Sequence, residues 1–250
     1  MARQFDDGST QYLAVDSAVV QSKPFTMACW FNCDDDSTTH TLMWVGHNSY
    51  TNYFCNMGIR GTADSNIIRA FQHWYGNGNG MVADTTAGYT ENTWHHACAV
   101  FAADDDLHVF LDGGNKGEDT TDVGDTSQHT GTAIGYNNDS TPSDPMSGAI
   151  AEAAFWNVAL TDAEVASLAA GVSPLLVRPA GLIAYWPLIR DTDKDQLGGY
   201  HMTPANSPTI ATHPPAILSW WHRHARAVAY GAAPPPPAAA PALLAMLGVG

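Results

Sequence analysis

The fold is decided by four segments between residues 92 and 171, which are NTWHHACAVF (92–101), LHVFLDGGNKG (107–117), TAIGYN (132–137) and MSGAIAEAAFWNVALTDAEVASLAAG (146–171). Apolar residues alternate with others along 107–111, and this period of two is typical of a strand with one buried face. Asp112 and Gly113 supply the positive φ angles that a tight hairpin turn needs. The segments therefore predict antiparallel strands, and a capping box from Thr161 to Glu164 predicts one short helix that ends at Gly171.

Further strands are predicted on both sides of this stretch. The strand-like segments are TQYLAVDSAVV (10–20), KPFTMACWFNC (23–33), HTLMWVGH (40–47), YFCNMGIRG (53–61), IIRAFQHWY (67–75) and GLIAYWPL (181–188). Four tryptophans lie in the best strand motifs, and we expect all of them to be largely buried: Trp30, Trp94, Trp156 and Trp186. A chain of 250 residues is long enough to bury such a core within one all-β domain.

Three motifs in this order are those of a known family. They are W-H-H-x-x-x-V (94–100), L-x-V-F-L-D-G (107–113) and G-x-I-x-E-x-x-x-W-N-x-x-L-T-x-x-E-x-x-x-L (148–168). Their order resembles the laminin-G-like, or concanavalin A-like lectin/glucanase, jelly roll, over roughly residues 10–205. The resemblance implies an all-β, two-sheet antiparallel jelly-roll sandwich and a binding role rather than catalysis. We therefore divide the chain into a jelly-roll domain, 1–206, and an extended Pro/Ala-rich C-terminal interaction tail, 207–250.

The segment 181–188 departs from the family pattern. In the family, a strand like A-Y-W-P-L followed by Asp- and Gly-rich turns usually begins the domain, whereas here it ends the domain. This order predicts a circularly permuted sandwich whose two termini lie side by side. We therefore expect residues 182–188 to pair near residues 12–15.

The charge and composition exclude some partners. A net charge of −15 argues against nucleic acid, because phosphate binding needs a basic surface. The same charge favours solubility and permits cation binding. The apolar end of the chain, LLAMLGVG (243–250), is far too short to span a bilayer.

The four cysteines are predicted to be free thiols. Cys29 and Cys98 occupy strand positions, where a buried cysteine acts as a small apolar residue. Cys29 and Cys33 have no second CxxC pair and no His at zinc-finger spacing, which argues against a zinc site. Residues 1–10 are polar and lack the apolar core of a signal peptide, so we expect synthesis in a cytoplasm, where thiols stay reduced.

The sequence does not predict an enzyme. Glucanases of the fold that this chain resembles use an E-x-D-x-x-E cluster, whose two Glu serve as nucleophile and acid/base. Here Glu152 is the only Glu in a strand-like run, and a single carboxylate cannot fill both roles. We expect Glu152 to accept backbone or Trp hydrogen bonds at a sheet edge. His95 and His96 are neighbours in a strand, so we expect one to face each side of the sheet.

Calcium is the one cofactor that the sequence suggests. Asp191, Asp193 and Asp195 alternate in DTDKDQLGG as in the first half of a calcium loop. The match then ends, because Gln196 and Met202 stand where such a loop has Gly and Glu. The resemblance implies one calcium near a loop edge, and the alternative is that Asp simply favours turns.

Aromatic and amide residues in three loops are the candidate sugar-binding residues. Aromatic rings can stack on sugar rings, and amides offer the donors and acceptors that sugar hydroxyls need. The candidates are Trp74, Tyr75, Asn77, Asn79, Tyr50, Tyr53 and Asn138, together with Asn48. The alternative is that Asn and Gly only make turns and that the aromatic residues complete the core.

The end of the chain differs from the rest. From residue 218 onward it has two Arg and no acidic residue, so this end carries +2. Since the whole chain carries −15, the preceding residues carry −17. Exposed apolar area of the kind in this tail usually marks an interface. The predicted partner-binding residues are Trp220, Trp221, Arg223, Arg226, Leu243 and Leu244. The predicted partners are other copies of this chain or other proteins of a virus particle.

Two functions follow from these observations. The first is a non-enzymatic virion structural or decoration protein, located on the virion surface after synthesis in the host cytoplasm. In it the sandwich would be a lectin-like surface domain for host glycans and the tail an interaction arm, since jelly rolls that end in A-Y-W-P-L and H-P-P look like those of tailed phages. The alternative is a stand-alone carbohydrate-binding lectin module, with or without calcium.

Overall fold

A computed structural model describes residues 1–51, 53–73, 80–123, 128–189 and 193–214. Within these ranges the chain forms two antiparallel sheets. The first sheet contains β1 (Ala2–Phe5), β3 (Phe25–Cys33), β8 (His95–Ala103), β9 (Asp106–Leu111), β10 (Gly114–Asp119), β12 (Gly148–Trp156), β13 (Leu182–Trp186) and β15 (Thr209–Ala211). The second contains β2 (Tyr12–Val15), β4 (His40–Gly46), β5 (Phe54–Ile59), β6 (Ile68–His73), β7 (Gly80–Asp84), β11 (Gly131–Ile134) and β14 (Thr203–Ala205). The predicted jelly-roll sandwich is confirmed.

The strand order shows how the sandwich is wound. The first sheet runs β10-β9-β8-β3-β12-β1-β15, with β13 also paired to β12, and the second runs β14-β2-β11-β4-β5-β6-β7. The predicted hairpin joins β9 to β10, and both Asp112 and Gly113 have positive φ. β15 pairs with β1, so the sandwich extends beyond residue 206 into the segment assigned to the tail.

The core lies between the two sheets. In the second sheet, one row of residues that are paired across neighbouring strands lies on the inner face. These residues are Leu13, Ile134, Met43, Met57, Ala70 and Ala83. From the first sheet, Phe31, Phe101 and Phe155 belong to the same buried cluster. Each fully buried side chain of this size contributes about 1.5–3 kcal/mol, so this interface supplies the main stabilisation of the fold.

The helix α1 (Asp162–Ala169) covers part of the outer face of the first sheet. Its predicted capping box is present, because the side chains of Thr161 and Glu164 each bond the backbone of the other residue. Val165 and Leu168 belong to a second buried cluster that also holds Trp156. The indole Nε1 of Trp156 donates to the carbonyl oxygen of Val177 at 2.9 Å, which ties the segment after the helix to β12.

The four tryptophans, which were all predicted to be largely buried, differ in their degree of burial. Trp156 and Trp186 are fully buried. Trp30 and Trp94 are half-buried and pack on a small outer-face cluster that includes Ala151. Trp30 lies opposite Ala151 in the register of β3 and β12, and the strand alternation turns its side chain away from the core.

The predicted pairing of residues 182–188 with β2 is wrong. β13 pairs with β12 in the first sheet, and β2 pairs instead with β14 in the second. β1 and β13 occupy the same edge of β12, one on each side of a register shift between Ala151 and Ala154. Glu152 lies at this shift with φ of 53°. The C-terminal strands therefore add to both sheets: β13 and β15 to the first, and β14 to the second beside β2, where residues 182–188 were expected.

All four cysteines are buried free thiols, as predicted. Burial raises the pKa of the Cys29 and Cys98 thiols, because an apolar interior disfavours the thiolate. Tyr89 donates to the sulfur of Cys33 at 3.6 Å, so this cysteine belongs to a polar contact at the end of the core.

The two classes of tryptophan predict different mutational costs. Trp156→Ala should lower the free energy of unfolding by about 3–5 kcal/mol, because the cavity forms in a packed cluster. Trp94→Ala is the matched control, and it should cost distinctly less because this side chain is partly exposed and packs on a small cluster of alanines. Urea denaturation of both variants measures the difference. Equal losses would contradict the placement of Trp94 on the outer face.

Candidate functional site

The outer face of the second sheet carries polar and aromatic side chains, of which Trp44 and Phe54 in the middle of the face are buried. The register across β2, β11, β4, β5 and β6 places one row of residues on this face, namely Ala14, Ala133, Trp44, Asn56 and Phe71. The next row on the same face contains Gly46, Phe54 and His73. No helix of the described ranges covers this face, whereas α1 covers part of the first sheet.

Aromatic rings cluster on this face beside small residues. The rings of Phe54 and Phe71 meet edge to face at 5.7 Å, and His73 lies 5.4 Å from Phe71. A Cβ atom at Gly46 would lie 2.6 Å from the Trp44 ring, and one at Gly80 would overlap the ring of Phe71. Glycine is therefore required where these rings lie flat against the sheet.

A groove of about 480 Å³ lies at the β2 edge of this face. Its lining combines an aromatic ring, amides, a carboxylate and backbone: Tyr12, Ala14, Val15, Asp16, Asn48, Asn138, Thr203, Pro204 and Ala205. The ring of Tyr12 stacks on that of Tyr136 at 4.7 Å, which fixes its orientation. Thr130 donates its hydroxyl to Oδ1 of Asn48 at 2.9 Å, which orients that amide.

Two loops form the wall of the groove. Residues 47–51 follow β4, and residues 135–147 connect β11 to β12. The hydroxyls of Thr51 and Ser140 lie 2.6 Å apart, so the two loops are joined by a hydrogen bond. Asn48 and Asn138 come from these two loops, and the contact brings their amides to one groove.

A second, smaller depression of about 150 Å³ lies over β4, β5 and β6. Its lining includes Asn56, Phe71, Arg60, Arg69, Asn137 and Asp144. Arg69 donates from Nε and Nη2 to the two carboxylate oxygens of Asp84, each at 2.6 Å. Arg60 donates from Nε to Asp64 at 2.9 Å. Both guanidinium groups are thus held in place by neighbouring carboxylates.

His40 forms part of the same lining and is itself buried. Its Nδ1 lies 2.7 Å from the carbonyl oxygen of Pro145, and its Nε2 lies 2.7 Å from that of Asp35. Two carbonyl acceptors require two N–H donors, so this ring is an imidazolium. Burial lowers the pKa of His40, but hydrogen bonds with Cys33 and with the two carbonyl oxygens outweigh burial and raise the pKa to about 9. The charged ring therefore fastens two loops at the rim of the depression.

His40 makes the stability of the fold depend on pH. Its folded pKa of about 9 lies above the unfolded value of 6.5, so its contribution is complete below pH 6.5 and is lost as the pH rises through 9. We expect this loss to be at most about 3 kcal/mol, since one pKa unit corresponds to about 1.4 kcal/mol. Burial lowers the pKa of His96 to about 4. Its titration therefore changes the stability mainly between pH 4 and 6.5, whereas that of His40 changes it between pH 6.5 and 9.

Unfolding free energies of the wild type and His40→Gln at pH 6.5 and pH 9 measure this dependence. The wild type should lose more stability than the variant over this interval. The comparison is needed because the buried thiols also destabilise the fold at high pH, equally in both proteins. Parallel losses in the two proteins would show that His40 is not charged in the folded state.

The predicted sugar-binding residues fall into three groups. Asn138 lines the groove, together with Asn48, and Tyr50 is exposed in the neighbouring loop with its ring 4.2 Å from His47. Tyr53 is buried, and the structure corrects its assignment as a surface stacking residue. The remaining candidates lie outside the described residues: Trp74, Tyr75, Asn77 and Asn79.

Sequence reasoning missed Tyr12, Asp16 and the two arginines of the depression. Tyr12 lies in a segment that was correctly predicted as a strand, but the pattern did not show which of its faces is outward. Arg69 lies in the β6 segment, where the alternation Ile68, Arg69, Ala70 could have indicated an outward Arg. Only the register with β5 and β7 shows that this outward face adjoins Asn56 and Asp84.

The residues proposed for calcium have other partners in the structure. Asp195 is buried and accepts backbone N–H groups from Tyr185 at 2.9 Å and from Gly199 at 2.9 Å, among others. Asp193 pairs with Nη2 of Arg3 at 2.7 Å, and both side chains are buried. Asp191 lies outside the described residues. In the part of the chain that is described, no group of three His, Cys, Asp or Glu is arranged to hold a metal ion. Calcium binding stays a prediction.

Glu152 accepts hydrogen bonds inside the fold, as predicted, but from different donors than expected. It is buried, and its carboxylate accepts hydrogen bonds from the hydroxyl of Tyr185 and from Nε2 of His213, the latter at 2.8 Å. The expected backbone or Trp donors are therefore replaced by two side chains. His95 and His96 face opposite sides, as predicted, because His95 contacts Phe31 of the core and His96 contacts Trp30 of the outer face.

The fold and this surface define a class of protein, a two-sheet jelly roll with an aromatic and amide-lined outer face. The chain belongs to the concanavalin A-like lectin/glucanases superfamily, whose family model matches residues 7–166. No curated protein matches the sequence. Among the described residues, the one α-helix is too short to cross a membrane.

Solved structures show the same fold at low sequence identity. A candidate carbohydrate binding protein from Bacteroides ovatus is 21% identical with a TM-score of 0.63, over 87% of this chain and 61% of that one. This chain thus spans less than two thirds of the Bacteroides protein. A heptameric SAP-like pentraxin from Limulus polyphemus is 13% identical with a TM-score of 0.62, over 87% of this chain and 95% of that one. A CBM40 of a Ruminococcus gnavus IT-sialidase, bound to α2,3 sialyllactose, is 12% identical with a TM-score of 0.50, over 62% and 84% of the two chains.

Proposed function

We propose that this protein is a non-catalytic carbohydrate-binding module and that its groove between β2, β14 and the loops 47–51 and 135–147 takes the sugar. The observation that carries the proposal is the lining of this groove. It places the amides of Asn48 and Asn138, the carboxylate of Asp16 and the ring of Tyr12 around one open space. A flat ring beside converging amide and carboxylate groups is suited to a molecule with an apolar face and a rim of hydroxyls.

The fold adds support to this proposal. Members of the superfamily share the sandwich, and a structure with a TM-score of 0.63 carries a name that refers to carbohydrate binding. The placement of the carboxylates also favours binding without catalysis. Glycoside hydrolysis usually needs two of them on either side of the bond, and Glu152 is buried and bonded to Tyr185 and His213.

Sugar binding is tested by a glycan array followed by calorimetry on the best ligand, each with calcium and with a chelator. Asn138→Ala should weaken binding about tenfold, which corresponds to the roughly 1.4 kcal/mol expected for a lost hydrogen bond in a site. Asn157→Ala is the control, because Asn157 is exposed and does not line the groove. Affinity that is equal in both variants would place the site elsewhere, and the chelator shows whether calcium takes part.

We further infer from the sequence that the module works as part of a virus particle, on the virion surface. This proposal depends on the residues after 214, which lie outside the described ranges. What supports it is the composition of that segment: Trp220, Trp221, Leu243 and Leu244 are apolar, and Arg223 and Arg226 carry positive charge against the −17 of the preceding residues. Apolar and cationic residues together suit the acidic surface of another copy.

Deletion of residues 218–250 tests the role of the tail. The truncated protein should keep the far-UV spectrum and the thermal transition of the sandwich, because the described strands end at Ala211. It should fail to self-associate or to dock on the particle, as measured by light scattering and by co-sedimentation. Assembly that matches the full chain would remove the support for the particle role and leave the stand-alone lectin.

A further inference from the structure

The depression over β4, β5 and β6 lies on the same face as the groove and is separate from it. Asn137 lines the depression and Asn138 lines the groove, so two consecutive residues of one loop serve the two spaces. The row that runs across the sheet connects Ala14 of the groove with Phe71 of the depression, four strands further on. Four strand spacings correspond to about 19 Å. The two spaces therefore lie within reach of one extended molecule.

The depression holds hydrogen-bonding groups that are positioned but not used. Arg60 bonds Asp64 through Nε alone, and within the described residues its two terminal nitrogens make no hydrogen bond. Arg69 donates to Asp84 from Nε and Nη2, and its Nη1 makes no hydrogen bond within the described residues. Oδ1 of Asn137 is buried and likewise has no hydrogen-bond partner in the described part of the chain. A buried acceptor of this kind costs about 1–3 kcal/mol unless a ligand or water satisfies it.

The charges around the depression indicate a neutral ligand. Each guanidinium has its own carboxylate, Asp64 for Arg60 and Asp84 for Arg69. The lining contains one more carboxylate, Asp144, beside the His40 imidazolium. The chain as a whole carries −15, which repels anions. The charges of the depression balance, and its polar groups are fixed N–H donors and amides beside the ring of Phe71. Such a lining suits the hydroxyls of an uncharged sugar.

We propose that this depression is a second sugar subsite and that the ligand is a neutral oligosaccharide, longer than a disaccharide, that occupies both the groove and the depression. This inference rests on the proposed function. In the depression Arg60 and Arg69 donate to ring hydroxyls, Asn137 accepts from one through Oδ1, and Phe71 supplies an apolar surface. The loop with Asn137 and Asn138 contacts the middle of the bound chain.

The test is calorimetry with a series of neutral oligosaccharides, from mono- to hexasaccharide, built from the sugar that the array identifies. Affinity should rise at least tenfold once the chain is long enough to reach the depression. Arg60→Ala and Asn56→Ala should abolish this rise while leaving the affinity for the shortest ligand unchanged. Asn138→Ala should weaken the binding of every length. Arg178→Ala is the matched control, because Arg178 is also paired with one carboxylate, Glu164, and lies outside both spaces.

A second measurement tests the charge of the ligand. An acidic oligosaccharide of equal length should bind at least tenfold more weakly at low salt, and the neutral one should bind equally at low and high salt. Affinity that does not depend on chain length, an Arg60→Ala variant that behaves like Arg178→Ala, or tighter binding of the acidic ligand would overturn the second subsite. Absence of binding to any sugar would instead overturn the proposed function, so the two failures are distinguishable.

Discussion

The pairing of β12 with three other strands is the constraint on which the sandwich depends. On one edge β12 bonds β3 along most of its length, and on the other it bonds β1 and then β13. The change from β1 to β13 falls at Glu152, where the pairing of β12 with β3 shifts register and the backbone adopts a positive φ. The N-terminal strand and a late strand of the chain are thus joined through one central strand.

Several carboxylates that resemble functional groups in the sequence serve this architecture. Asp195 accepts backbone N–H groups from β13 and from the loop after it, and Asp193 pairs with Arg3 of β1. Glu152 binds Tyr185 and His213 at the junction of strands. A buried carboxylate is costly unless donors surround it, and here each one is placed where backbone or side-chain donors converge. These acidic residues hold the C-terminal strands to the body of the sandwich.

The two outer faces of the sandwich are used differently. On the first sheet, α1 and the segment after it cover one half with Val165, Leu168 and their neighbours. On the second sheet, glycines and aromatic rings lie close together, and polar side chains line the groove and the depression. The loop 135–147 crosses from the second sheet to the first, and the His40 imidazolium fastens it through Pro145. The groove and the depression therefore lie on the second sheet, and α1 covers part of the first.

The sequence by itself determined the class of fold, because the evidence for it is local. The alternation along β9, the turn at Asp112 and Gly113 and the capping box at Thr161 depend on neighbouring residues, and all three are found where they were predicted. Even the exposed Tyr50 and the groove residue Asn138 could be selected, since loop position and residue type are visible in a sequence.

Only the tertiary structure decided which strands are partners and which faces are outward. The pairing of β13 with β12, the partial exposure of Trp94 and the position of Asn48 and Asn138 at one groove depend on contacts between residues that are far apart in the chain. The same holds for Arg69, whose acidic partner Asp84 and the depression that it shares with Arg60 appear only when β5, β6 and β7 are in register. A period of two shows that a strand has two faces, but the packing of the second sheet against the first decides which of them meets solvent.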